Sequence, residues 1–399
     1  MLSNYLRSGK TLAFYFIIFS FVLPCHLFGQ TTDSSKVVIA DIVTIHSKIL
    51  GQDRKIYIYS PSINPGLYPV SQPLPVLYLL DGDVQTSFVA SEVNFLSQYN
   101  TALPAMIVVG IGNFNYDRMH DLTPHHASMS YGVIDTAKTP PQNNTGGGDK
   151  FLQFIKEEVM PYVEQHYKTV PYKVLSGHSL GGLTTVHCLL TQPDLFNAYI
   201  AVSPSLWYDM QYEITKNVKQ LKTGVFKNKS LFFSDGAEGG YFHQSVLHLD
   251  SILKERNSPG LTYKYMMYPD MPHDYEPVKA EYDALRFVFS PFQPPSDLNT
   301  AEMIIAFYKQ LSSRFGYSVI PPEGLVNSTA YQVMQEPGKV NEAIALFQLN
   351  VSNYPSSPNA YDGLGDGYAS AGNAEKAKAC YKKELELDPN NEAAKAKIK

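Results

Sequence analysis

Cysteine is scarce in this chain, with three in 399 residues: Cys25 in an apolar leader, and Cys188 and Cys380 far apart. That scarcity excludes a disulfide framework and a cysteine-rich zinc cluster. Charge is sparse as well. Charged residues make up 17%, and 32 Lys and Arg against 37 Asp and Glu leave a net charge of −5, so there is no basic field to hold nucleic acid or anionic lipid. The chain has a single tryptophan, Trp207. The leading apolar run, Leu12 to Leu23, is short for a membrane span and is broken by Pro24. Arg7 and Lys10 precede the run and Gly29 follows it, so residues 1–30 read as a secretory signal. The mature chain then starts near Gln30, is secreted or periplasmic, and keeps no stable membrane span. An uncleaved anchor is the competing reading, and Pro24 fits poorly with a lipid on Cys25.

What is present is material for packing: 44% hydrophobic residues, 28 Tyr and 21 Phe. The length suits one large folded unit and a smaller one. Val38–Val43 and Lys55–Tyr59 alternate in the strand manner around a turn at Gly51-Gln52-Asp53, which predicts an opening hairpin. Short apolar runs follow at Val76–Leu80, Met106–Val109, Lys173–Leu175, Tyr199–Val202, Ser230–Phe233 and Tyr263–Met267, as expected of parallel strands buried on both faces. Helical patterns lie between most of them, at Phe151–His166, Leu180–Leu190, Phe242–Arg256 and Val278–Phe289. Strands alternating with helices predict an α/β doubly wound, mostly parallel sheet over residues 37–292.

Three prolines between Ser290 and Asn299 end the alternation, and residues 293–320 read as a linker with a helix. Beyond it Gly338, Ala343, Phe347 and Pro355 recur as Gly372, Ala377, Tyr381 and Pro389, a period of 34 residues. That period is the tetratricopeptide length, so residues 321–399 are expected to form a small all-α repeat tail. Two such repeats are fewer than usually stand alone, and the tail is expected to pack on the main unit or on itself through Ala301–Phe315.

Chemistry concentrates at Gly177-His178-Ser179-Leu180-Gly181, a Gly-x-Ser-x-Gly match with an apolar strand before it and an amphipathic helix after it. The glycines allow a turn sharp enough to expose the Ser179 hydroxyl, and the helix amino terminus favours a developing oxyanion beside it. A serine nucleophile needs a base, and in this strand–turn–helix setting the partners follow in the order serine, acid, histidine. His243 and His248 sit inside a helical pattern, whereas His273 lies in a loop after the last strand, which favours His273. The acid is expected just after the preceding strand. Glu238 is preferred for its flexible Gly-rich loop, with Asp235 the alternative. The oxyanion donors are expected to be the backbone amides of Leu180 and, from Leu80-Asp81-Gly82-Asp83, of Asp83.

These segments resemble the putative-esterase family of α/β hydrolases, which includes enterochelin esterases, S-formylglutathione hydrolases, feruloyl and acetyl xylan esterases and mycolyltransferases. The resemblance rests on Val76–Gly82, Arg118 through Asp121-Leu122-Thr123-Pro124, Gly177–Gly182, Ser203-Pro204-Ser205-Leu206-Trp207, and His273 with Tyr282–Phe287. Its likeness is strongest to the siderophore-esterase branch. It implies an α/β-hydrolase fold and a serine carboxylic-ester hydrolase working through an acyl-enzyme, with Ser179, His273 and Glu238 catalytic and Leu180 and Asp83 forming the oxyanion hole. It also implies that Arg118, Trp207 and His178 line the substrate pocket. The substrate would be a small-molecule or carbohydrate ester, and a protein partner would use the tail. Acyl transfer on the same residues, or a non-catalytic scaffold, are the alternatives.

No cofactor is implied, because Gly146-Gly147-Gly148 follows a loop and not a strand. His120, His125 and His126 beside Asp121 fit no standard metal-ligand spacing.

Overall fold

An eight-stranded sheet forms because runs such as Leu74–Leu80 and Ala198–Val202 are apolar on both faces and must be covered on both. The structure, a computed structural model, describes residues 37–63, 72–99, 102–127, 144–222, 226–256 and 259–398. The signal-peptide reading and Cys25 lie outside the described residues. The strands are β1 (Asp41–Ser47), β2 (Gln52–Tyr59), β3 (Leu74–Leu80), β4 (Ile107–Ile111), β5 (Thr169–His178), β6 (Ala198–Val202), β7 (Lys229–Asp235) and β8 (Leu261–Met267). Their order is β1-β2-β4-β3-β5-β6-β7-β8; β2 runs antiparallel to both β1 and β4, and every other pair is parallel. This is the expected α/β-hydrolase architecture. Each apolar run named from the sequence falls within or largely within a strand, but Tyr263–Met267 is not buried on both faces: β8 is the edge strand and its residues are exposed or half-buried.

One core cluster lies on each side of the sheet. On one side, helix Leu180–Thr191 packs through Leu183, Val186 and Leu189 against Tyr78 and Tyr199. The other gathers helix Gly82–Asn94, helix Glu276–Val288 and the carboxyl-terminal helices around Leu77, Val174 and Phe232. Helix Gly82–Asn94 carries no clear periodic signal in the sequence; its Val84 is exposed while Val89 and Val93 are buried. The described residues from Ile39 onward form one compact unit. The helix Ala301–Phe315 joins the carboxyl-terminal region to the sheet, with the Phe315 ring 4.8 Å from Tyr172 on β5 and 5.8 Å from Phe289. Among the described residues no helix is long and apolar enough to cross a membrane.

Glu281 of helix Glu276–Val288 is fully buried against the Ser176 hydroxyl of β5, and burial pushes its carboxyl up to about 7. Because the folded value exceeds the ordinary 4.5, the protonated form stabilises the fold. That contribution is complete below the ordinary value and is lost as pH rises through the folded one. Unfolding in urea is therefore expected to show the chain roughly 2 kcal/mol less stable near pH 8 than near pH 5 on this account alone. Glu281→Gln should flatten that difference. An unchanged pH dependence in the variant contradicts the assignment.

Candidate active site

Every sequence-predicted site residue lies at the carboxyl ends of parallel strands, where doubly wound sheets collect their ligands. Ser179 directly follows β5 and caps helix Leu180–Thr191 with φ 61° and ψ −115°. A side chain rarely tolerates that backbone, and such strain persists only where surroundings hold it. Here they do: the Ser179 N–H donates to the Val202 carbonyl at 3.0 Å, and the Ser205 N–H donates to the Ser179 carbonyl at 3.0 Å. Gly177 is required at the turn, since a Cβ there would stand 2.4 Å from the Gly181 carbonyl carbon. The Ser179 hydroxyl lies 3.4 Å from that of Ser205, itself buried.

His273, in the loop beyond β8, places Nδ1 at 2.8 Å from Glu238 Oε1. Donating Nδ1–H to a carboxylate leaves Nε2 as the ring's proton acceptor. Burial pushes the Glu238 carboxyl up, but hydrogen bonds from His273 and Ser203 more than offset it and hold it below the ordinary glutamate value. Asp235, the alternative acid, is taken: it accepts hydrogen bonds from His243 Nδ1 and from the Tyr265 hydroxyl, the latter at 2.7 Å. The two carboxylates thus serve two different histidines.

His178 brings its ring to 4.5 Å from that of His273. Burial, then the charges of His273 and Arg118, lower its pKa to about 3, so it stays neutral. Its Nε2 is buried with no partner among the described residues. Phe242, not singled out from the sequence, meets the His273 ring edge to face at 5.3 Å, and Trp207 lies 6.4 Å beyond Phe242. The three rings form one aromatic wall.

Leu180 and Asp83 occupy the first turns of helices Leu180–Thr191 and Gly82–Asn94, where backbone N–H groups have no partner within the helix. Asp83 therefore belongs to a helix and not to the free loop expected. Its carboxylate accepts the backbone N–H groups of Asn113, Phe114 and Asn115, tying the start of helix Gly82–Asn94 to the loop after β4. Asp81, at φ 54°, packs against Gly181 of the elbow.

Arg118 is neither paired with Asp117 nor with Asp121, as a surface arginine there would be. It forks onto Asp81 with Nε to Oδ1 at 2.7 Å and Nη2 to Oδ2 at 2.8 Å, and reaches the His178 carbonyl at 3.4 Å. Asp121 is held instead by the buried Arg54. The Asp81 side chain is only 1% exposed, so Arg118→Ala leaves a buried carboxylate unpaired. Urea unfolding should show a loss of about 3 kcal/mol. A change under about 0.5 kcal/mol, the size of an ordinary surface substitution, contradicts this pairing.

Of the histidines considered for a metal, His125 pairs with Asp209 at 2.7 Å and His120 lies 3.6 Å from Asp121.

Residues 47–237 match the family model described as "Putative esterase"; Glu238 and His273 lie beyond the matched stretch. The chain is 29% identical over 196 residues to ferri-bacillibactin esterase BesA of Bacillus subtilis, covering 47% of this chain and 66% of that one. It is 32% identical over 177 residues to the siderophore triacetylfusarinine C esterase of Aspergillus fumigatus, covering 41% of this chain and 56% of that one. The chain thus spans 56% to 66% of the length of these relatives. The crystal structure of an IroE-like serine hydrolase from Shewanella oneidensis superposes with a TM-score of 0.66 at 29% identity, over 78% of this chain and 99% of that one.

Proposed function

Starting from a chain related over residues 47–237 to the putative-esterase family, we propose that it is a serine carboxylic-ester hydrolase acting on siderophore-type esters. The observation that carries the reading is the pairing of His273 with Glu238, the His273 ring lying 4.5 Å from that of His178, which precedes a serine held at a strained strand-to-helix turn. In this reading Ser179 attacks the ester carbonyl while His273 Nε2 takes its proton and passes it to the leaving alcohol. Water then releases the acid from the acyl-enzyme by the same path in reverse. The amides of Leu180 and Asp83 hold the oxyanion. Glu238 keeps the imidazole in the right tautomer and balances its charge.

The substrate class follows from two relatives, one named for ferri-bacillibactin and the other for triacetylfusarinine C. The aromatic wall of Trp207 and Phe242 supports it, because a flat acyl or catechol ring stacks there next to the reacting carbonyl. Arg118 acts in this reading through Asp81, steadying the Asp83 amide, more than by touching substrate. His178 contributes a neutral ring beside the base.

We read the carboxyl-terminal helices as two tetratricopeptide repeats, Glu323–Met334 with Val340–Asn353 and Pro358–Ser370 with Ala374–Leu387. The 34-residue period supports this, as do Gly363 against Phe347 and Gly365 against Tyr381, where a Cβ would collide with each ring. A protein partner on that tail, and a secreted or periplasmic location, belong to the same proposal.

The test is a comparison of kcat/KM on bacillibactin, triacetylfusarinine C, methyl ferulate, acetylated xylan and p-nitrophenyl acetate. The siderophore esters are expected to lead by at least tenfold. Preference for methyl ferulate or xylan overturns the substrate class. Ester turnover that appears only with an added alcohol acceptor would mark a transferase.

A further inference from the structure

One hydroxyl behind the proposed triad has more acceptors than protons. Ser203, directly after β6 and at φ 39°, places Oγ 2.5 Å from Glu238 Oε1 and within hydrogen-bond distance of Glu276 Oε2. A serine hydroxyl donates one proton. With both carboxyls ionised, one of the two contacts would press lone pairs together in a buried space. One carboxyl must therefore carry a proton of its own.

Geometry decides which. Glu238 Oε1 already accepts from His273 Nδ1 as well as from Ser203, the pattern of an ionised acceptor. Glu276, at the amino end of helix Glu276–Val288, has no exposed surface. We infer that Glu276 is a protonated positioning residue that donates to Ser203, which in turn donates to Glu238, so that the carboxylate facing His273 is held by a relay of two hydroxyl donors. This inference rests on the esterase reading of Ser179 and His273 for its effect on rate, but not for the relay itself.

The surroundings agree. The groups facing Glu276 from neighbouring elements are the carboxylates Glu238 and Asp235, the hydroxyls of Ser203 and Ser234, and the phenols of Tyr265 and Tyr268. Burial raises its pKa to about 7; the serine hydroxyls pull it down, and the charges of Glu238 and Asp235 push it up again. The dipole of its own helix favours the charged form, and burial outweighs it. When Glu276 ionises, Ser203 is drawn between two carboxylates and Glu238 is less firmly placed against His273. The relay thus gives the base a supporting acid that lets go as pH rises.

Two readouts test it. In the first, kcat for p-nitrophenyl acetate is followed against pH in the wild type, Glu276→Gln, Glu276→Leu and Ser203→Ala. The wild type is expected to lose roughly tenfold as Glu276 ionises. Glu276→Gln, which keeps a donor at that place at every pH, should lack that fall and recover most of the rate lost in Glu276→Leu. Ser203→Ala should be slow at every pH. An alkaline fall that persists unchanged in Glu276→Gln overturns the relay.

The second readout needs no turnover: the infrared band of a protonated carboxyl should be present in the wild type at low pH, vanish across the same pH range, and be missing by difference in Glu276→Gln. No difference between the two proteins overturns the protonation of Glu276. An active wild type without that difference would sink the relay alone, whereas an inactive wild type that shows it would sink the esterase reading alone.

Discussion

Replacing Ser179 with alanine is expected to lower kcat for p-nitrophenyl acetate by roughly 10⁵-fold while leaving unfolding in urea within about 1 kcal/mol of the wild type. The size follows from what the residue would do. Removing the attacking atom leaves only the oxyanion amides and substrate binding to act on water, and that residual catalysis is small. The mild effect on stability follows from its place, since the Ser179 hydroxyl makes one long contact, to Ser205 at 3.4 Å, and fills no apolar space. Alanine at φ 61° suffers the same backbone strain as serine, so the turn itself is not relieved. A variant that keeps more than about a hundredth of the rate would mean that another group attacks the ester.

The second large effect separates two carboxylates that the sequence leaves as alternatives. Glu238→Gln is expected to cost about 10⁴-fold in kcat, the scale seen when the orienting acid of a serine–histidine pair becomes an amide. An amide N–H facing His273 Nδ1 would favour the wrong tautomer, and a neutral carbonyl there would keep the tautomer but lose the charge that balances an imidazolium. Asp235→Asn should cost no more than about tenfold, because Asp235 accepts from His243 and Tyr265 and not from His273. Its penalty should appear in stability, as a buried acceptor of two hydrogen bonds is altered. The two variants measured side by side for kcat and urea midpoint check this. A larger rate loss for Asp235→Asn than for Glu238→Gln would reverse the assignment.

Much of the fold could be read ahead of the structure because its inner strands β3, β4, β6 and β7 are buried on both faces. Runs such as Leu77-Tyr78-Leu79-Leu80 and Ile200-Ala201-Val202 have no polar face to confuse the pattern. Helix Gly82–Asn94 is not legible in the sequence because its buried residues include Gly82, Gln85 and Thr86, which make no apolar stripe. Asp83 was consequently expected in a loop.

The elbow around Ser179 is local, and its strand, glycines and helix all lie within a few residues. His273 was placed by its order and by its loop after β8. Partner choice was less legible. Arg118 takes Asp81, 37 positions away, over Asp117 and Asp121 beside it. Ser203 bridges Glu238 and Glu276, 35 and 73 positions distant. Which buried groups meet is set by how β3 lines up with β4, and β6 with β7 and β8, in the sheet, and no spacing along the chain encodes that. Phe242 had a signal only in hindsight, as the aromatic residue at the start of a helix that follows the acid loop.

The most direct test of the central claim is covalent: treat the full chain with a fluorophosphonate probe and map the adduct by peptide mass spectrometry. The account predicts a single adduct on Ser179, absent in Ser179→Ala and formed far more slowly in Glu238→Gln. No adduct on the wild type, or an adduct on another residue with Ser179 unmodified, would contradict it.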